Sequence, residues 1–193
     1  MRSTLRPTLS LTAALLLGAT TAAAQKKGAA HFRVTSADLK ANSTIPLHNV
    51  FNGMGCTGEN VSPALQWTGA PAGTKSFAVT VYDPDAPTGS GFWHWVVYNI
   101  PATTTSLAAG AGGSSGSLPD GATQGITDFG QPGYGGPCPP VKDRPHRYIF
   151  TVFALKVDHL DLPASATPAY VGFNLYGNML AKTSFTAKYG RSK

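Results

Sequence analysis

Charge is scarce in this chain: only 12% of its 193 residues are Asp, Glu, Lys or Arg, against about 25% in an average globular protein. No Glu/Lys/Leu heptads recur, which excludes a long coiled coil. The glycines have no period of three, which excludes collagen. Nor does any unit of roughly 20 to 50 residues repeat, so the chain is not a solenoid. Cysteine occurs twice, as Cys56 and Cys138, too few for a four-ligand zinc site without recruited histidines and too far apart for a CxxC redox motif. A basic face is missing too, despite a formal charge of +6. Arg2, Arg6, Lys26, Lys27, Arg191 and Lys193 lie outside His31 to Tyr189, and that stretch balances nine cations against all nine acids. A neutral body without clustered Lys and Arg lacks the footprint that dominates nucleic-acid affinity, so no nucleic-acid partner is expected.

What is present is a turn-rich, apolar sequence. Its 22 glycines and 15 prolines make up about a fifth of the chain, short of the roughly 25 to 30% that marks low-complexity disorder. Residues 1–24 open with Arg2 and Arg6, continue through an apolar run at Leu11 to Leu17 and end in Ala22-Ala23-Ala24. This reads as a secretory signal cleaved near Ala24, giving a periplasmic or secreted protein. A transmembrane anchor would need about 20 apolar residues, and this core is shorter and interrupted by Thr12. Residues 25–30 then form a flexible mature N-terminus, and residues 31–190 a single domain with no membrane-spanning segment. In an exported protein two cysteines in Gly-rich loops most simply form one disulfide, closing a loop that the chain-entropy model credits with about 4 kcal/mol.

The periodicity is that of strands. Lys75 to Asp83 alternates, with Phe77, Val79, Val81 and Asp83 on one face, so a carboxylate ends an apolar row. Phe92 to Ile100 is apolar on both faces and reads as a covered strand, with His94, Val96, Tyr98 and Ile100 sharing one side. His146 to Leu155 begins with a second histidine, followed on its side by Tyr148, Phe150, Val152 and Ala154. His31 to Ser36, Ala64 to Thr68 and Lys182 to Lys188 are shorter candidates. One helix is credible near the end, where Thr167 can cap it, Pro168 suits its first turn, and Val171, Leu175 and Met179 recur every fourth residue. The fold class is therefore mainly β. Ala108 to Ser117 is small and aperiodic, hence a surface excursion that carries no core.

Two familiar patterns carry no chemistry here. Gly112 to Gly116 matches GxSxG without the strand and helix that a nucleophile elbow needs. Gly53 to Gly58 matches GxGxxG without a βαβ unit and reads as a tight turn holding Cys56. The informative constellation is spatial. If the strands around the short connection Pro84 to Gly91 pair as a hairpin, Asp83 and His94 fall at the same sheet end. His146 joins them if its strand flanks the Asp83 strand on the other side. The loop Gly133 to Pro140 would then lie beside the site, with small residues that let backbone N–H groups approach a ligand. An imidazole can donate to a phosphoryl or carboxyl oxygen, and Asp83 can hold its tautomer or accept from an ammonium or hydroxyl group. A small anionic or zwitterionic ligand fits.

These residues also carry a resemblance. Asp83-Pro84-Asp85-Ala86-Pro87, His94-Trp95-Val96-Val97, Gly135-Gly136-Pro137-Cys138-Pro139-Pro140 and His146-Arg147-Tyr148 resemble the phosphatidylethanolamine-binding protein family, in particular its bacterial Raf kinase inhibitor-like branch. Phe51 to Gly55, Ser62-Pro63 and Pro71 to Ser76 are similar to that branch as well. The resemblance implies a central antiparallel sheet, a smaller sheet, one or two short helices near the C-terminus, and an anion pocket for phosphorylated or carboxylated groups. It assigns ligand-binding positions to Asp83, Pro87, His94, Pro140 and His146, and a supporting or rim position to Asp85, Gly136 and Tyr148. It makes Ala86–Pro87 a candidate cis peptide, and cysteines at positions such as Cys56 and Cys138 recur in its exported members. No cofactor, metal or catalytic residue is called for.

Two other readings stand beside a binding module. One is weak acid/base or metal-assisted hydrolysis using His94 or His146 with Asp83. The other is a protease- or partner-inhibiting protein that docks through the pocket rim and the Ala108 to Ser117 excursion.

Overall fold

The computed structural model describes residues 31–191. The expected signal segment 1–24 and the flexible stretch 25–30 lie outside the described residues. In chain order the strands are β1 (Arg33–Thr35), β2 (Asn52–Gly53), β3 (Cys56–Thr57), β4 (Leu65–Thr68) and β5 (Ser76–Asp83). They continue with β6 (Phe92–Pro101), β7 (Ser106–Leu107), β8 (Thr123–Gln124) and β9 (His146–Leu155). Helix α1 (Pro168–Asn178) and β10 (Met179–Tyr189) complete the fold.

A five-stranded sheet in the order β10-β9-β5-β6-β8 forms the centre, with every neighbouring pair antiparallel. A smaller sheet, β1-β4-β7, packs over one face. The alternating rows explain this layering. Phe77, Val79 and Val81 of β5 and Tyr148, Phe150, Val152 and Ala154 of β9 face Val34, Leu65 and Trp67 of the small sheet. The opposite rows, with Ala78, Phe153 and Leu155, are covered by Val171 and Leu175 of α1. Each such side chain, fully buried, contributes about 1.5 to 3 kcal/mol of transfer free energy. The mainly β class with one helix near the C-terminus is what the sequence led us to expect. Thr167 caps that helix by accepting a bond from the Tyr170 amide, with Pro168 in the first turn.

Three local expectations need correction. The row His94, Val96, Tyr98, Ile100 does not keep to one side of β6. Val81 pairs with Trp95 and Tyr82 with Trp93, so His94 is an extra residue in a β-bulge. A second irregularity lies between the Phe77–Ile100 and Val79–Val97 pairs, where Asn99 takes φ 59° and exchanges hydrogen bonds with Leu160. Val96 and Tyr98 consequently face α1, whereas Trp95, Val97 and Ile100 face the small sheet. The Ala108 to Ser117 excursion does carry core: Ala111 is buried among the residues facing the small sheet. Gly112 is pressed so closely on Trp95 and Tyr134 that a Cβ there would lie 2.8 Å from each. The last strand runs from Met179 rather than Lys182, because it leaves α1 directly and pairs along the length of β9.

Candidate functional site

β5 runs opposite to both of its neighbours, so its last residue meets the first residues of the other two. Asp83 closes β5 and pairs with Phe92, which opens β6, while His146 opens β9. The bulge turns His94 toward the same end. Asp83 and His146 are both almost wholly buried and joined directly, Oδ2 to Nδ1 at 2.8 Å. The other Asp83 oxygen, Oδ1, accepts from the Asp85 amide at 2.8 Å, which curls the chain back after the strand. On the far side of the His146 ring, Nε2 meets Asp143 Oδ2 at 3.2 Å.

His94 is held differently. Its Nδ1 lies 2.7 Å from the Gly135 carbonyl oxygen, and the Gly135 amide donates back to the His94 carbonyl at 2.9 Å. The ring is walled by Phe92, Phe129 and Tyr148, with centroids 5.1, 5.5 and 5.1 Å away. Burial pushes this imidazole below its ordinary value, against a smaller opposing pull from the Gly135 carbonyl and the Asp83 charge. Tyr148 is buried beside Asp83, close enough for the carboxylate to act on its hydroxyl, but no well-directed hydrogen bond joins them. Burial first and the Asp83 charge second raise that phenol well above its usual range.

These side chains line one cavity of about 220 Å³, below the roughly 300 to 1,000 Å³ of drug-sized sites. Asp83, Pro87, His94, Pro140, His146 and Tyr148 all line it. Asp85 and Gly136 do not. Asp85 forms a two-pronged pair with the Arg147 guanidinium, both contacts at 2.9 Å, and accepts from the Arg147 amide as well. The clamp ties the Asp83 to Pro87 turn to the start of β9 and so sets where Pro87 meets the cavity. Gly136 sits where the chain crosses residues 49 to 51, so closely that a Cβ would lie 2.4 Å from the Asn49 carbonyl oxygen. Its amide donates to Asn60 Oδ1 at 2.7 Å. The amides of Gly135 and Gly136 are thus engaged within the protein, not turned to a ligand as the small residues of that loop led us to expect. The Ala86–Pro87 peptide is trans: no cis peptide bond occurs among the described residues.

The disulfide joins Cys56 to Cys138 across 82 residues, with Cα atoms 6.0 Å apart. It fastens the β2–β3 hairpin to the Pro-rich loop, and Cys138 and Met54 of these two segments form part of the cavity wall. Sequence reasoning missed Met54, Phe92, Phe129 and Asp143. Asp143 stands three residues before His146, within reach of the motif already singled out. Phe129 belongs to a loop without periodicity and gives no local signal; stacking on Phe51 at 4.7 Å holds it in place. Among the described residues no group of three or more His, Cys, Asp and Glu is disposed to hold a metal ion, and no helix is long and apolar enough to cross a membrane.

A five-stranded sheet, a smaller sheet over one face, a helix over the other and a small apolar-walled cavity at the strand ends define the class of β protein to which this chain belongs. The sequence profile described as phosphatidylethanolamine-binding protein matches residues 35–190, and the chain belongs to that family. The Escherichia coli protein YbcL is 52% identical over 162 residues, covering 83% of this chain and 88% of that protein. Its crystal structure, described as a new member of the mammalian PEBP family, superposes with a TM-score of 0.81 over 83% of this chain and 98% of that one. E. coli YbhB is 52% identical over 157 residues, 81% of this chain and 99% of that protein. The homologue CT736 from Chlamydia trachomatis has 29% identity and a TM-score of 0.69, over 83% of this chain and 97% of that one.

Proposed function

We propose that this is an exported binding protein whose cavity takes a small phosphorylated or carboxylated group, such as a phosphorylated head group, and releases it unchanged. The observation that carries the reading is the meeting of Asp83, His94 and His146, from three strands, in one small cavity with apolar walls. Membership of a family described by phosphatidylethanolamine binding supports it. The cysteine and threonine that line the cavity are otherwise engaged. Cys138 is in the disulfide, the Thr88 hydroxyl donates to the Gly91 carbonyl, and no Ser or Lys lines the cavity. That favours binding over catalysis. Export is supported by the Arg2 to Ala24 segment, with its basic start, apolar core and small-residue end, and by the disulfide, which persists in oxidising compartments.

The test is titration of the folded protein with phosphate, acetate and phosphoethanolamine, followed by calorimetry or chemical shifts. His94→Ala and Asp83→Ala are each expected to abolish the response while the far-UV spectrum is kept. Unchanged binding in both variants rejects the site.

A further inference from the structure

The nine cations and nine acids of residues 31–189 balance in number, but the fold does not spread them evenly. Two adjoining open clefts lie where the end of β10 meets the start of β9. The first, about 400 Å³, is lined by Asp85, Arg144, Pro145, Arg147 and Lys188. The second, about 310 Å³, shares Pro145 and Lys188 and reaches Asp143, Tyr189 and Arg191. The expectation that Lys and Arg form no cluster is therefore corrected. Arg144 from the loop before β9, Arg147 from β9, Lys188 from β10 and Arg191 just beyond it make one basic strip. Neither cleft shares a lining residue with the strand-end cavity.

The carboxylates of the strip are already taken. Asp85 lies under the Arg147 guanidinium, 2.9 Å from two of its nitrogens, and Asp143 is turned to His146. Arg144 reaches Asp85 only at 3.6 Å, and its side chain is 84% exposed. Lys188 and Arg191 form no ion pair among the described residues. Arg191 is nevertheless fixed, because its guanidinium donates to the Gly55 and Pro139 carbonyls. Lys188 stands directly across the ladder from Arg147, and like charges so placed cost stability. A lysine on an open sheet edge can guard against strand pairing. Here the edge is closed without it, since the Lys188 carbonyl accepts from the Ile45 amide and its amide donates to the Ser43 carbonyl. That leaves its charge unexplained by the fold.

We propose that this strip docks an acidic, extended segment of a partner protein, independently of the strand-end cavity. The cations are strung out rather than gathered round one point, since the three residues from Lys188 to Arg191 span up to about 10 Å. Carboxylates on one side of an extended peptide recur about every 7 Å and can meet such a row. Guanidinium groups already held in place, as at Arg147 and Arg191, lose little freedom on pairing with them. A bilayer fits less well, because none of the exposed large apolar side chains lines either cleft. A nucleic acid fits less well too, because four cations against two carboxylates leave a small excess for neutralising phosphates.

The experiment uses the intact folded protein and a fluorescein-labelled octaglutamate peptide, read by anisotropy at low salt and at about 0.15 M, where the Debye length is about 8 Å. Arg144→Glu with Lys188→Glu is expected to weaken binding about tenfold or more. The neutral pair Arg144→Gln with Lys188→Gln, expected to weaken it in the same direction, keeps the test open should the reversed pair fail to fold. Lys75→Glu with Lys156→Glu changes the net charge equally at the far end of the sheet and is expected to leave binding within about twofold. Equal weakening by the two reversed pairs overturns the proposal by reducing it to net-charge attraction. An octalysine peptide bound as tightly, or an oligodeoxythymidylate bound more tightly, also overturns it. So does a dimeric protein that the strip variants turn monomeric, which would make the occupant a second copy. No peptide binding at either salt overturns the strip and leaves the cavity reading untouched, since phosphoethanolamine titration tests that separately.

Discussion

Two buried tyrosines offer a matched pair of opposite sign. Tyr134 and Tyr148 are 5% and 1% exposed. The Tyr134 hydroxyl donates to the Asn49 carbonyl at 2.8 Å, whereas the Tyr148 hydroxyl has no well-directed partner. Replacing each by Phe removes one oxygen and leaves the ring packing in place. At Tyr134 the change deletes a made hydrogen bond and strands the Asn49 carbonyl, a loss of about 1 to 3 kcal/mol. At Tyr148 it deletes a buried hydroxyl that makes no well-directed bond, whose desolvation costs up to about 1 to 3 kcal/mol. Part of that penalty is offset by the hydroxyl dipole in the field of Asp83, so we expect a net gain of about 1 kcal/mol. In a chain of this size that corresponds to a Tm rise of about 2 to 4 °C. Urea unfolding of the two variants beside the parent, with m-values compared, reads both effects. Destabilisation of Tyr148→Phe by more than about 1 kcal/mol would refute the reasoning, since it would mean that the hydroxyl already bonds Asp83 and helps hold the site.

The Arg147 guanidinium holds the Asp85 carboxyl down at about 2, against an ordinary 3.8. A carboxyl lowered in the folded state stabilises above its unfolded value and loses that contribution as pH falls through the folded one. Asp85→Asn should therefore cost about 1 kcal/mol at pH 7, once solvent screening of this partly exposed pair is allowed for. The difference from the parent should shrink between pH 4 and pH 2, which urea midpoints across that range would check; a difference independent of pH contradicts the ion-pair account. Gly136→Ala places a methyl 2.4 Å from the Asn49 carbonyl oxygen and 2.5 Å from the Phe51 nitrogen. The crossing must part, for about 3 kcal/mol or more by overpacking and loss of the Asn60 bond. Unfolding within about 0.5 kcal/mol of the parent would show that the loop yields freely.

The strands that frame the site were legible because their cause is local. A row such as Phe77, Val79, Val81, Asp83 needs only a period of two to declare its buried face, and β9 with its row from His146 is equally plain. The Asp83 to His94 connection is too short for anything but a hairpin-like return, so the two residues had to come close. Thr167, Pro168 and the fourfold spacing of Val171 and Leu175 likewise announce a helix start and its buried stripe.

Other features depend on partners remote in the chain, and no local pattern carries them. The bulge at His94 exists because β6 must match the register of β5 on both sides of it, and it reverses which residues of β6 face the small sheet. Ala111 and Gly112 are small enough to read as loop, yet both are buried, Gly112 because Trp95 and Tyr134 arrive against it from elsewhere in the chain. The Gly135 and Gly136 amides looked available in sequence and are taken by His94 and Asn60. Which ring nitrogen of His94 donates within the protein is settled by one carbonyl 41 residues further along the chain. Residue type and spacing thus specify the strands and the kinds of groups at their ends, because alternation and turn chemistry act over a few residues. Which hydrogen bonds those groups keep free is a property of the packed whole, because each partner is chosen by non-local register.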